Sequence, residues 1–264
     1  MRILVLNPNF SEGITKRLMA AAVKAAAPGV TISSATASRG VPYISTRAEA
    51  QIGGAIALEM LAERHRDCDA AIIAAFGDPG LLGARELFDI PVIGMAEAAM
   101  LTACMLGRRF AIVTFARALG PWYQDCVEMH GMKERCAGLC MVDEPFDSVS
   151  DVQVEKEELL VTEAKQAVVS LDADVIILAG APLAGLTDKV RARIPVPVVD
   201  PIAAAVKQAE GLIGLNLRKP VAGSFRRPDA KPTRGLSQAL AGRIERNDDD
   251  AGDLGAARGV RPRG

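Results

Sequence analysis

Short apolar runs alternate along this chain with stretches whose apolar residues recur every three to four positions. Arg2-Ile3-Leu4-Val5-Leu6 reads as a buried strand, ended by Asn7-Pro8-Asn9. Ser11 is placed to cap a helix in which Ile14, Leu18, Met19, Ala22 and Val23 share one face, closed by Pro28-Gly29. A second strand is predicted at 30–34 and a longer helix at 48–66. Strands follow at 70–74, 91–93, 110–114, 175–178 and 196–199. Helices are predicted at 81–88, 97–106, 120–129, 155–170, 202–215 and 236–244. Such alternation predicts an α/β fold with parallel, doubly wound sheets.

The chain also resembles itself. Asp69-Ala70-Ala71-Ile72-Ile73-Ala74-Ala75 aligns with Asp174-Val175-Ile176-Ile177-Leu178-Ala179-Gly180, and in both copies Leu81 or Leu186 lies twelve residues after the aspartate. Pro91-Val92-Ile93-Gly94 matches Pro197-Val198-Val199-Asp200, and an alanine pair follows each at equal spacing. Arg2-Ile3-Leu4-Val5-Leu6-Asn7 matches Arg109-Phe110-Ala111-Ile112-Val113-Thr114. The expected architecture is therefore two pseudo-symmetric, doubly wound parallel-sheet lobes with the active-site cleft between them. Residues 1–97, completed by 201–216, form the first lobe and 98–200 the second. Residues 217–244 form a C-terminal extension packed on the lobes. Residues 245–264, with many charges and glycines and few large apolar side chains, are expected to be a disordered tail.

Composition narrows the function. Half of the 264 residues are hydrophobic and only 4% aromatic, so Ala, Val, Ile and Leu must build the core. A formal net charge of -1 gives no reason to expect nucleic acid or an anionic membrane as partner. No apolar run approaches the length of a membrane span, and a cytoplasmic location is expected. Cys68, Cys104, Cys126, Cys136 and Cys140 are odd in number and irregularly spaced, so they read as small buried side chains and not as a disulfide framework. With His65 and His130 the only histidines, no zinc-ligand spacing is present and no metal is expected.

In open parallel sheets ligands bind outside the carboxyl ends of the strands. Three pairs of loops should therefore face the cleft: those after 7 and 114, those from 75 and 180, and those after 94 and 200. Asp78, in Gly77-Asp78-Pro79-Gly80, is the candidate base, provided desolvation lifts its pKa from about 3.9. Glu97 reads first as a first-turn helix residue and Asp200 as a helix cap, and both stand at matching strand ends. Backbone N–H groups of 77–80 and 184–185 are candidate oxyanion donors. Ser45, Thr46 and Arg47 are further candidate contacts. Thr114 offers a hydroxyl at the tip matching Asn7.

MRILVLNPN at the start, Phe76-Gly77-Asp78-Pro79-Gly80-Leu81, Pro91-Val92-Ile93-Gly94-Met95-Ala96-Glu97-Ala98 and Ala181-Pro182-Leu183-Ala184-Gly185-Leu186 resemble the Asp/Glu/hydantoin racemase family, in the hydantoin/allantoin branch. The likeness runs from Met1 to about Ile244. It implies cofactor-independent inversion at a carbon next to a carbonyl, a homo-oligomer, and a small substrate bearing a carboxylate or ureide. It also implies that Asn7 and Asn9 hold that group. The strand-tip set expected to bind substrate is Asn7, Asn9, Ser11, Phe76, Gly77, Thr114, Ala181 and Pro182. One departure matters: the two positions where the family carries catalytic cysteines hold Ala75 and Gly180. Two other readings stay open beside a racemase: a lyase or isomerase acting without thiols on a small dicarboxylate, and a non-catalytic binder of small carboxylates.

Overall fold

Each half of the chain builds the same four-stranded parallel sheet in the computed structural model, which describes residues 1–145, 148–149 and 151–248. The first half runs β1 (Arg2–Asn7), α1 (Glu12–Ala25), β2 (Thr31–Thr36), α2 (Arg47–Arg64), β3 (Ala70–Ile73), α3 (Leu81–Leu87), β4 (Val92–Gly94) and α4 (Met95–Leu106). The second runs β5 (Phe110–Thr114), α5 (Gly120–Met129), β6 (Cys136–Met141), α6 (Val152–Ser170), β7 (Val175–Ala179), α7 (Thr187–Val190), β8 (Val198–Val199) and α8 (Pro201–Leu215). A final helix, α9 (Gln238–Glu245), closes the described chain.

The sheet orders are β2-β1-β3-β4 and β6-β5-β7-β8, so the internal repeat is a repeat of topology. Ile3, Val5, Ile72, Ile112 and Ile177 are fully buried, as expected of strands covered on both faces. They belong to one apolar cluster that runs through both sheets without interruption. In each sheet the strand order reverses beside the first strand, and that switch point places the ends of β1 and β3, and of β5 and β7, at the ligand side.

Two helices cross between the halves. α4 leaves the first sheet and packs on β5, β7 and β8, while α8 leaves the second and packs on β3, β4 and α1. The two lie against each other, and Gln208 on α8 donates to Ala98 O at 2.9 Å and Thr102 Oγ1 at 3.3 Å. Alanines at 98, 99, 204 and 205 allow this close approach.

The expectations differ from the structure in three places. β6 was not predicted: its six residues are all half-buried, Gly138 interrupts its apolar run, and none of the six is β-branched or aromatic. α7, at four residues, is too short for a periodic signal. Residues 245–248 are part of the fold, because Glu245 ends α9 and Asp248 pairs with Arg227 at 2.7 Å and Arg243 at 2.8 Å. The rest of the predicted tail, 249–264, lies outside the described residues. Upstream, Leu240 packs into a second cluster with Ala57, Leu61 and Phe88, so α9 covers α2 and α3. No described helix is long and apolar enough to cross a membrane.

Candidate functional site

The tips of β1, β3, β5 and β7 converge on a single small cavity. Asn9, Tyr43, Ala75, Phe76, Phe115, Trp122, Tyr123, Ala181 and Pro182 are among the residues that line it. Its volume, about 20 Å³, admits roughly one water molecule. Ala75 and Ala181 are on its wall. Gly180 borders it too: a Cβ at 180 would sit 2.8 Å from Phe115 Cε1 and 3.6 Å from the Tyr123 hydroxyl. Positions 75 and 180, matched by the internal repeat, thus face one space.

Aromatic rings fill that space. Phe76 and Tyr123 pack as tilted rings with centroids 4.7 Å apart, and Trp122 lies 5.5 Å from Tyr123, also tilted. Trp122 covers Gly77, where a Cβ would come within 2.3 Å of the indole, so glycine is required there by contact as well as by its φ of 117°. Gly180, at φ 122°, is in the same position opposite Phe115. Trp122 also walls a second, open groove of about 550 Å³ that contains Arg47, Asp78, Asp125 and Cys126. The indole therefore separates the inner cavity from that groove.

The wall's chemistry is limited. No carboxyl, thiol or imidazole lines the inner cavity among the described residues. Burial pushes the Tyr123 phenol well above its usual pKa, with a bond to Thr114 only partly offsetting it, so Tyr123 stays neutral. Backbone groups are the available polar feature. The amides of Phe76 and Ala181, at the matched tips of β3 and β7, bond to no other described residue. Asn9 uses Oδ1 to accept from Asn7 Nδ2 at 3.0 Å and Ser11 N at 3.0 Å, leaving its Nδ2 as a further donor on the wall.

Several predicted residues serve the frame instead. Asn7 is fully buried, and its Nδ2 donates to Asn9 Oδ1, Ser11 O and Thr15 Oγ1, which knots the loop after β1. Ser11 caps α1 through Ile14 N. Thr114 is fully buried and donates to Ala179 O at 2.8 Å. These three do not reach the cavity wall. Pro182 reaches it, and its carbonyl accepts from Gln153. The amides of 184 and 185 are not free donors either: Ala184 N bonds Ala181 O and Gly185 N bonds Asp200 Oδ2. Ser45 and Thr46 form the capping box of α2 with Glu49. Arg47 pairs with Asp125, tying α2 to α5.

Asp78 is not placed as a base at the cavity. It sits at φ 50° in the loop after β3, almost fully buried. Its Oδ1 accepts from Ala96 N, and its Oδ2 from Glu97 N and His130 Nε2, at 2.8, 2.8 and 2.9 Å. The carboxylate thus joins the β3 loop, the start of α4 and the end of α5, on the outer-groove side of Trp122. His130 also faces Glu97 at 3.5 Å, and Glu97 is bound by Arg85. Burial works against the charge of His130, but its bonds to Asp78 and Glu97 outweigh this and raise its pKa to about 9. Burial likewise opposes the charge of Glu97, and the bonds from His130 and Arg85 overcome it, lowering the pKa to about 2.

Asp78, Cys126 and His130 also form the one group of potential metal ligands among the described residues, with ligand atoms within 4.8 Å of one another. Sequence spacing could not show it, because 52 residues separate Asp78 from His130. The group is poorly prepared for a cation: the imidazole is held protonated, and burial pushes the Cys126 thiol well up. Of the aromatic wall Phe76 was expected and Phe115, Trp122 and Tyr123 were missed, although adjacent Trp122 and Tyr123 in so aromatic-poor a chain were a signal.

Comparison with known proteins bears on this site. A family model described as Asp/Glu/hydantoin racemase matches residues 3–209. The chain is 33% identical over 233 residues to a hydantoin racemase of Paenarthrobacter aurescens, covering 88% of this chain and 99% of that one. Among solved structures it is similar to an allantoin racemase from Klebsiella pneumoniae, with 35% identity, a TM-score of 0.85, and 91% and 98% of the two chains covered. An allantoin racemase from Pseudomonas fluorescens matches with 31% identity and a TM-score of 0.82, covering 89% and 100%.

Proposed function

The chain belongs to the Asp/Glu/hydantoin racemase family, and from that premise we propose that it is a cofactor-independent racemase-type isomerase acting on a small cyclic ureide or amino-acid derivative. One observation carries this reading: the matched tips of two equivalent sheets meet at one cavity, each offering an unbonded amide, Phe76 N and Ala181 N. Removing a proton next to a carbonyl develops negative charge on the carbonyl oxygen. Pre-placed N–H donors in a water-poor site stabilise that charge.

Ala75 and Gly180 cannot carry protons, so the chemistry differs from a two-thiol exchange. In this reading the two amides and the Asn9 carboxamide hold the enolate oxygen and the ureide. Solvent admitted with the substrate completes the exchange: on one face hydroxide takes the proton and becomes water, and on the other a second water gives a proton to the enolate carbon and leaves as hydroxide. Loss of a positioned acid or base typically costs about 10²–10⁴-fold in rate, so turnover should be slow. A cavity of about 20 Å³ is too small for a ureide, so binding requires the Trp122–Tyr123 wall to move aside.

A second reading, a binder of small carboxylates without turnover, is favoured by Phe115, whose ring occupies the space beside Gly180. Single enantiomers of allantoin, 5-substituted hydantoins and free amino acids, incubated with the protein and resolved by chiral chromatography, separate the two. The racemase reading expects one ureide to approach a 1:1 mixture faster than in buffer. Saturable binding of such a compound with unchanged enantiomeric purity would establish the binder.

A further inference from the structure

A second concave site lies outside the chemistry described so far. It is a groove of about 640 Å³ between α1 and the chain that leaves β7, within the range of small-molecule sites. It shares no lining residue with the inner cavity. Its floor is built from alanine and glycine, so α1 approaches closely: a Cβ at Gly185 would lie 3.7 Å from Ala21 Cβ. Arg17, Lys24, Lys189 and Arg191 line it, against two carboxylates. Asp188 pairs with Lys24 at 2.5 Å and Arg191 at 3.5 Å. Asp200 is spent on the amides of Gly185, Ile202 and Ala203. Leaving Arg17 aside, three cations against two carboxylates still make the groove cationic.

The independent observation is Thr187. It is 7% exposed, it lines this groove, and its Oγ1 has no hydrogen-bond partner among the described residues. An unsatisfied buried hydroxyl is destabilising; Thr187 Oγ1 is itself covered, so an acceptor oxygen relieves it by displacing the atoms that lie between it and the groove. Gln153, also on the groove wall, is buried and donates to Pro182 O at 3.0 Å and Ala184 O at 2.8 Å. Pro182 lines the inner cavity, so the same short segment borders both sites.

We propose that this groove is an accessory binding site for a small organic dianion, a phosphate monoester or a dicarboxylate, with Thr187 donating to it and the basic side chains neutralising it. The alanine floor takes the carbon body. The cationic excess of the groove favours an anion, and phosphate monoesters carry close to two negative charges near neutral pH.

Calorimetric titration of the full chain tests this, with phenyl phosphate and glutarate as the dianion probes and benzyl alcohol as the neutral control. The expected result is 1:1 saturable binding of at least one dianion and none of the alcohol. Thr187→Val should weaken it at least about tenfold, roughly 1.4 kcal/mol. Thr187→Ser should keep it, Lys189→Glu should abolish it, and Tyr123→Phe in the inner cavity should leave it unchanged. Thr187→Val should also melt no lower than the parent, because it removes an orphan hydroxyl. Which probe binds distinguishes phosphate from carboxylate. Absence of saturation by either probe at about 10 mM would overturn the proposal. So would a Thr187→Val protein that binds as well as the parent, or a Tyr123→Phe protein that loses binding.

Discussion

At Gly180 the backbone stands at φ 122° and the Phe115 ring presses against the hydrogen that a side chain would replace. At Ala75, the matching position, a methyl group already points into the site without such strain. The two matched positions therefore differ in what side chain they can accept. Ala75→Cys should fold with nearly parental stability. Gly180→Cys carries a backbone cost of about 1–3 kcal/mol and overpacking against Phe115 besides. For a chain of this size that lowers Tm by several degrees, at roughly 2–4 °C per kcal/mol, as thermal unfolding would show. Equal melting of the two variants would contradict this packing. His130 supplies a second prediction at this scale. Its pKa is raised in the fold, so its stabilising contribution is complete below about 6.5 and is lost as pH rises through about 9. Glu97 is depressed, so its contribution is complete above about 4.5 and is lost as pH falls through about 2. Denaturant titrations across pH should show an alkaline loss that His130→Gln removes. That variant should itself be less stable by roughly 3–5 kcal/mol, the cost of breaking a buried pair.

α5 is the element on which the site's behaviour turns. Its first turns present Trp122 and Tyr123 to the cavity, Asp125 ties it to Arg47, and its end is fixed by His130 to Asp78. Trp122 is the single tryptophan of the chain, so its fluorescence reports this element alone. Ligand entry should change its emission, and a ligand that binds with no change would show that the wall does not move. α8 depends on a different device. Asp200 caps it through Ile202 and Ala203 and also holds Gly185. Asp200→Ala should cost about 0.5–2 kcal/mol in unfolding experiments. Burial raises the pKa of Asp200 despite its amide bonds, so Asp200→Asn should cost less than Asp200→Ala. Elements of this kind were legible from the sequence where a periodic face or a cap was present: Ser11, Asp200 and the runs at β3, β5 and β7 all marked their own positions. β6 has an apolar run broken by Gly138 and without β-branched or aromatic residues, and α7 is too short to show a period. The Asp78–His130–Glu97 network joins three elements, and local spacing carries no record of that.

Across the whole molecule, the duplicated sheet explains why a site exists where it does. Two copies of one topology, exchanged through α4 and α8, bring equivalent strand ends together around a single apolar core. The equal spacing of the two Asp-to-Leu segments made that duplication readable from residue types alone. It also identified 75 and 180 as partners before either was placed in space. What the sequence did not reveal is how fully aromatic side chains close the space between them, because Phe115, Trp122 and Tyr123 reach it from a loop and a helix of the second half. The central claim is that this cavity inverts a carbon centre by holding an enolate on backbone amides, with no thiol taking part. The direct measurement is solvent deuterium incorporation at the stereogenic carbon of a chiral hydantoin or allantoin, followed by NMR with protein whose cysteines have been alkylated. The account predicts exchange above the buffer rate that alkylation leaves unchanged. Exchange that alkylation abolishes, or exchange no faster than in buffer for every ureide tried, would contradict it.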